Sequence, residues 1–244
     1  MSAPAAQRRA RPARSVTLMP ARKARQIFER LRAANPHPRS ELQFGSPFQL
    51  LIAVMLSAQA TDRSVNLATR ELFAVAPDPQ AMLQLGLTGL KRHIRTIGLY
   101  NTKARNILAS CRILQERYAG QVPRERAALE ELPGVGRKTA NIVLNVAFGE
   151  PTIGVDTHAF RVANRTGLVR AATPRAVEEG LLRVVPPEFR RDAHHWLVLH
   201  GRYVCKARRP ECAHCSIARW CEYPDKTAAE GGTARSGGVF RVAD

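Results

Sequence analysis

Nine residues, Leu132-Pro133-Gly134-Val135-Gly136-Arg137-Lys138-Thr139-Ala140, restrict the fold more than any other stretch of the chain. Glu130, Glu131 and Leu132 end one helical pattern and Thr139 onward continues another, so the backbone must reverse within a few residues. Two glycines two apart permit positive φ in so tight a turn. The helix that follows opens with backbone N–H groups lacking intrahelical partners, and phosphate fits there by hydrogen bonding and by the helix dipole. Gly134, Val135, Gly136 and Arg137 therefore read as a helix-hairpin-helix, a grip on a nucleic-acid backbone that does not read bases. The plainer reading is an ordinary helical hairpin, which has no need of Gly-x-Gly followed by two cations.

Lys138 falls in the first turn of that second helix, the end where the dipole disfavours a cation. Its placement suits either phosphate contact or amine chemistry. Amine chemistry needs the neutral form, and an unperturbed lysine near pH 7.4 is protonated by roughly 1000 to 1, a cost of about 4 kcal/mol. The dipole supplies only about 0.3–1 kcal/mol, so burial, a neighbouring cation or a general base must do the rest. Val155-Asp156-Thr157-His158 offers a carboxylate at a helix start. Asp156 reads as an N-cap. A cap also occupies a helix mouth, where clefts form, so the same residue can face Lys138.

Four of the five cysteines, Cys205, Cys212, Cys215 and Cys221, lie close together near the C-terminus as C-x6-C-x2-C-x5-C. Four thiolates in one loop repel unless a cation joins them. Structural zinc more often pairs two C-x2-C knuckles across a longer gap, whereas one C-x2-C flanked by single cysteines suits a cubic iron–sulfur cluster at least as well. Unligated cysteines are the third possibility. Lys206, Arg208 and Arg209 sit between the first two cysteines, so a pinned loop would hold these cations outward toward phosphate; otherwise they are a solvated loop. Cys111 stands apart and reads as a small core residue.

Lys plus Arg number 38 against 20 Asp plus Glu, a net charge of +18. Setting aside +4 in the first 20 residues and +1 in the last 19 leaves +13 on residues 21–225. A folded part so basic points to a polyanionic partner. With 45% apolar residues in 244, the chain can bury a core, and no run approaches the roughly 18 apolar residues of a membrane span. Strand alternation is hard to find, whereas helical periodicity recurs. Helices are expected around Ile27–Leu31, from Pro47, from Thr61 or Asp62, around Ile107–Tyr118, from Thr139 to Phe148, and from Thr157, Pro174 and Asp192. The 139–148 helix is apolar nearly all round and should be central. The fold class is all-α, with about ten short helices. Arg8, Arg9, Arg11 and Arg14 stand in a stretch of Ala, Pro and Ser, read as a disordered basic tail over 1–19 that can reach phosphates beyond a cleft. A transit peptide shares its composition, but the prolines spoil an amphipathic helix. A second tail is expected over 226–244. The reduced cysteines place the chain inside the cell.

Three of these motifs, Leu132–Ala140, Val155–His158 and the cysteine cluster, together resemble the endonuclease III family of bacterial DNA glycosylases and abasic-site lyases. Ser57-Ala58-Gln59-Ala60-Thr61-Asp62, Thr96-Ile97-Gly98-Leu99-Tyr100-Asn101 and His194-His195-Trp196-Leu197 look like further stretches of that family, over about residues 20–224. The resemblance implies a six-helix barrel over 40–150 carrying the hairpin at about 127–148. Residues 20–39 would pack with 151–225 as a cluster domain. It implies Lys138 as nucleophile, Asp156 as the essential carboxylate, and one [4Fe-4S] cluster on the four cysteines. Gln59 and Leu99 would enter the duplex where a base has left; by themselves they read as a helix-end amide and a core leucine. The implied partner is damaged double-stranded DNA, bound by a monomer with no membrane association. The implied reaction excises oxidised pyrimidines and cuts 3′ to the abasic site by β-elimination through a lysine Schiff base. The related adenine glycosylase lacks a lysine at the position of Lys138 and carries a further C-terminal domain, and a non-catalytic DNA-binding protein would not need Lys138 with Asp156.

Overall fold

Helix starts are marked by capping side chains. In the computed structural model, which describes residues 16–227, α1 spans Ala21–Ala34. α2 (Pro47–Ser57) follows the Ser46 hydroxyl, α3 (Asp62–Val75) the Thr61 hydroxyl and α4 (Pro79–Ile94) the Asp78 carboxylate. Each of these oxygens accepts a backbone N–H from the first turn, and Pro47 and Pro79 stand where a missing N–H costs nothing. Then come α5 (Tyr100–Tyr118), α6 (Arg126–Glu130), α7 (Arg137–Phe148), α8 (Thr157–Thr166), α9 (Pro174–Val184) and α10 (Arg190–Tyr203). Ten α-helices thus make up the described residues, as the all-α reading expects. The strands there are β1 (Thr17–Leu18) and β2 (Val169–Arg170), paired antiparallel.

Two apolar cores form. Helices α2–α7 enclose the first, with Leu51, Leu56, Val65, Leu72, Met82 and Ile107 among its buried residues. The central helix is α2, whose residues from Leu50 to Leu56 are all buried and which packs on α3, α5 and α7. The expected centre, α7, buries Ala140, Val143 and Leu144 but leaves Ile142 and Val146 half-buried, because that face lines a cleft. Cys111 is fully buried in this core, and burial pushes its thiol up to about 12.

The second core gathers α1 with α8, α9 and α10. Phe28 and Phe189 stack within it, with Trp196 set tilted or edge-on to them, at centroid distances of 6.0–6.3 Å. Folding begins before residue 20, where the basic tail was expected to reach. Met19 is buried in this core and Thr17–Leu18 pair with β2, since apolar side chains here find a surface to cover. At the other end Lys226 and Thr227 are tied to the cysteine loop through Ala218 and Pro210. The expected tails at residues 1–15 and 228–244 lie outside the described residues.

The cores meet along the segment that leaves α7. Asn145 Nδ2 lies within 3.0 Å of the carbonyls of Glu150, Thr152 and Arg191, and Thr152 Oγ1 donates to Asn141 O at 2.7 Å. Gly154 then passes so near α7 that a Cβ there would lie 2.6 Å from Ile142 Cγ1 and 3.2 Å from Lys138 O. Gly154→Ala should therefore force the segment outward and cost about 1–3 kcal/mol, the usual penalty of overpacking. Urea unfolding of the variant against the parent checks this, and unchanged stability would show that the seam is slack.

Candidate active site

The first turn of α7 has no capping side chain, so its backbone N–H groups are free for an incoming acceptor. Gly134 takes φ 83°, and a Cβ there would lie 2.9 Å from Asn106 Nδ2, so the turn requires glycine. Gly136 is an extended N-cap with φ −96° and needs no such freedom; its value is exposure without a side chain. Val135 was expected on the DNA-facing loop. Its side chain is instead 5% exposed in the first core and its N–H already serves Leu132 O at 2.9 Å. Arg137 was expected to face phosphate. It is instead paired with Glu178 of α9, Nε to Oε2 and Nη2 to Oε1 at 2.9 Å each. Nearly buried Glu178 must have a charge partner, and Arg137 supplies it.

Lys138 is exposed and Asp156 half-buried, and both line one cleft between the cores. Asp156 is the N-cap of α8, its Oδ1 accepting the Ala159 N–H at 2.7 Å. Both readings of this residue therefore coexist: a cap by one oxygen, and a carboxylate bordering the cleft that holds Lys138. His194 and His195 of α10 line the same cleft, as do Asp62 and Arg202. His194 Nδ1 donates to Gly154 O at 2.8 Å, which fixes its tautomer and ties α10 to the seam segment. Burial holds His194 well below the usual histidine range, with the neighbouring His195 adding to it; the Asp156 charge opposes and the Lys138 charge assists. His195 is also pushed down by burial, against Asp192, and its buried Nδ1 has no partner among the described residues. Arg202 donates to Glu41 and to Asp62, joining α10 to the first core. Neither histidine's position nor the Arg202 bridge has a local sequence signal, because both depend on how α10 lies against the other core.

Gln59 and Leu99 are exposed, Leu99 by 63%, so it is not a core leucine. Both take left-handed backbone, φ 58° and 59°. The four clustered cysteines line one pocket with His200, whose Nε2 lies 3.5 Å from Cys215 Sγ. Burial pushes the Cys215 thiol up to about 11, and the thiols of Cys221, Cys205 and Cys212 add to it, so four thiolates here need a cation to offset them. Among the described residues no group of three His, Cys, Asp or Glu converges on a point for a single ion. The loop is anchored to α8. Arg165 donates to Lys206 O and Ala207 O at 2.7 Å and lies 3.7 Å from Cys205 Sγ, while Arg161 donates to Cys205 O at 2.9 Å. Lys206, Arg208 and Arg209 are all exposed, as expected, and Lys206 pairs with the exposed Glu211 of the same loop.

Residues 52–187 match the family described as "HhH-GPD superfamily base excision DNA repair protein". The chain is 63% identical over 201 residues to endonuclease III of Escherichia coli (strain K12), covering 82% of this chain and 95% of that protein. Its identity to endonuclease III of Haemophilus influenzae is 62% over the same length, with the same coverage. The chain belongs to the endonuclease III family. Among solved structures, a trapped endonuclease III–DNA covalent intermediate superimposes with a TM-score of 0.80 at 43% identity, covering 84% of this chain and 97% of that one. A non-covalent endonuclease III–DNA complex matches equally well, at 42% identity. A thermostable thymine-DNA glycosylase reaches a TM-score of 0.75 at 25% identity. As an endonuclease III family member the chain is a base excision repair enzyme, a DNA glycosylase and abasic-site lyase.

The buried histidines set the pH range of stability. Their folded pKa values lie below the unfolded value of about 6.5, so the unfolded chain binds protons first as pH falls. Their contribution is complete above about pH 6.5 and is lost below it, at up to about 1.4 kcal/mol per pH unit for each histidine. Unfolding free energy at pH 5.5 should fall below that at pH 7.5. Replacing His194 and His195 together by Asn should remove part of that slope. An identical slope in the variant would mean that neither histidine is held neutral.

Proposed function

We propose that this enzyme excises oxidised pyrimidines from double-stranded DNA, with Lys138 as nucleophile and Asp156 as the assisting carboxylate. The observation that carries the reading is the convergence of an exposed lysine and a half-buried carboxylate, from two helix mouths, on one cleft of a basic protein. A stacked base hides its glycosidic carbon, so the damaged nucleotide turns out of the helix at a cost of a few kcal/mol. Gln59 and Leu99, exposed on adjacent loops, fill the gap it leaves. The free N–H groups of α7 and the side chains of Arg208 and Arg209 hold phosphates. The Lys138 amine attacks C1′, the C1′–base bond breaks and the base departs with its electron pair. Asp156 stabilises the positive charge that builds on the sugar. Loss of a proton from the nitrogen and cleavage of the C1′–O4′ bond, with O4′ taking the electron pair and a proton, open the sugar ring to a Schiff base, which acidifies C2′–H. Removal of that proton breaks the C3′–O bond, and hydrolysis of the Schiff base frees the enzyme. His194, held neutral, adds no competing positive charge beside Lys138.

Cys205, Cys212, Cys215 and Cys221 would hold one [4Fe-4S] cluster. Their all-thiol donor set and common cavity support it. When bound, the cluster supplies a rigid anchor for the 205–221 loop, and no chemical step needs it. The reading further takes the chain as a monomer acting inside the cell on DNA, in a bacterial cytoplasm or nucleoid. Among the described residues no helix is long and apolar enough to cross a membrane.

Lys138→Gln should abolish the borohydride-trapped complex and strand cleavage on abasic-site DNA while leaving DNA affinity nearly intact. Asp156→Asn keeps a capping oxygen, so folding should survive while base excision falls about 10²-fold or more. If it instead costs stability while the folded fraction turns over normally, Asp156 is a cap alone. The purified protein should be yellow-brown with about four irons per chain and no stoichiometric zinc, as a cubic cluster requires. A colourless, fully active protein holding one zinc would sink the cluster.

A further inference from the structure

Among the described non-glycine residues, left-handed backbone occurs at Gln59, Leu99 and Ala119. Ala119 has an ordinary cause, since it closes the C-terminus of α5 and its N–H serves Leu114 O. Gln59 takes it as the third residue of the turn that closes α2, where the Ala60 N–H donates to Ser57 O at 3.1 Å, whereas Leu99 has no such cause. Gln59 follows the end of α2, and Leu99 opens α5 without a side-chain cap. The two loops touch: a Cβ on Gly98 would lie 3.7 Å from Gln59 O.

One residue grips both loops. Lys103, one turn into α5, bonds Leu99 O through its backbone N–H at 3.0 Å. Its side chain turns inward, leaving the residue only 8% exposed, and its Nζ donates to Leu56 O at 2.8 Å and to Ala58 O. Those carbonyls belong to the last turn of α2, the negative end of that helix, where they lack intrahelical partners. Burial pushes the Lys103 pKa down, and among the described residues no carboxylate is paired with its ammonium. Packing alone would be served by an apolar side chain of the same length. A buried charge is kept where its hydrogen bonds are needed.

We propose that Lys103 is a positioning residue for base flipping, its buried ammonium fixing the Gln59 loop against the Leu99 loop so that both side chains enter the duplex together. The proposal rests on the reading of Gln59 and Leu99 as the residues that fill the gap. It assigns Lys103 no contact with DNA.

The test compares Lys103→Met with Gln59→Ala, Leu99→Ala and the Lys103→Met/Leu99→Ala double variant. Single-turnover excision is measured on duplex carrying one oxidised pyrimidine, with 2-aminopurine beside the lesion reporting unstacking. Borohydride trapping on abasic-site duplex, where no base has to be turned out, is measured on the same preparations. Lys103→Met should slow excision and the fluorescence rise by about tenfold or more while trapping at saturating enzyme changes less than about twofold. The double variant should be little slower than the slower single one, because Lys103 acts through Leu99. Lys103→Gln, which keeps one donor, should fall between and serves if Lys103→Met folds poorly. If Gln59→Ala and Leu99→Ala slow excision but both Lys103 variants do not, the positioning proposal fails alone. If Gln59→Ala and Leu99→Ala leave excision unchanged, the gap-filling reading fails and the proposal with it. An equal loss of excision and trapping, matching the loss of folded protein, makes Lys103 a structural residue and overturns the proposal.

Discussion

The seam between the cores turns on the near-contact of Gly154 with the first turn of α7. No side chain fits between the segment and the helix there, since Ile142 and Lys138 O already occupy the space a Cβ would need. Two residues further on, Asp156 opens α8, so the distance from hairpin to carboxylate is set by backbone packing. His194 adds a clamp from the other side by donating to Gly154 O. Lysine and carboxylate thus come from different cores, yet neither core needs to deform for them to share a cleft.

Charge reinforces that seam. Arg137 reaches the nearly buried Glu178 on α9, and Arg202 on α10 reaches Asp62 and Glu41 beside the first core. Both pairs are partly buried, Glu178 the most fully, so breaking the Arg137–Glu178 contact leaves the more deeply buried charge unpaired. It draws the start of α7 toward the second core at the residue before Lys138. The cysteine loop is tied to the same core by Arg161 and Arg165, which keeps exposed Arg208 and Arg209 on a fixed surface.

What the sequence made legible was local. Pro47, Thr61 and Pro174 mark helix starts because capping acts within three residues, and each does so here, whereas α4, which starts at Asp78-Pro79 by the same device, was not among the expected helices. The hairpin was legible for the same reason, apart from Val135, whose apolar side chain turned inward as hydrophobicity dictates. Long-range partners were not legible. Nothing near Arg137 announces Glu178, 41 residues away, and nothing near Lys103 announces the carbonyls of Leu56 and Ala58. A lysine within a helix reads as solvated until the tertiary fold buries it. The apolar run of 139–148 suggested a central helix, but an apolar cleft wall has the same pattern as a core face. Resemblance supplied the roles of Gln59 and Leu99, since exposure and φ are invisible in composition.

The central claim is that the amine beside Asp156 makes the covalent bond to DNA. Locating that bond tests it most directly. The unaltered protein is trapped by borohydride on abasic-site duplex, digested, and the adducted peptide sequenced by mass spectrometry. The account predicts one modified residue, Lys138. An adduct on Lys103, on Lys206 or on the N-terminal amine, with Lys138 unmodified, would contradict it.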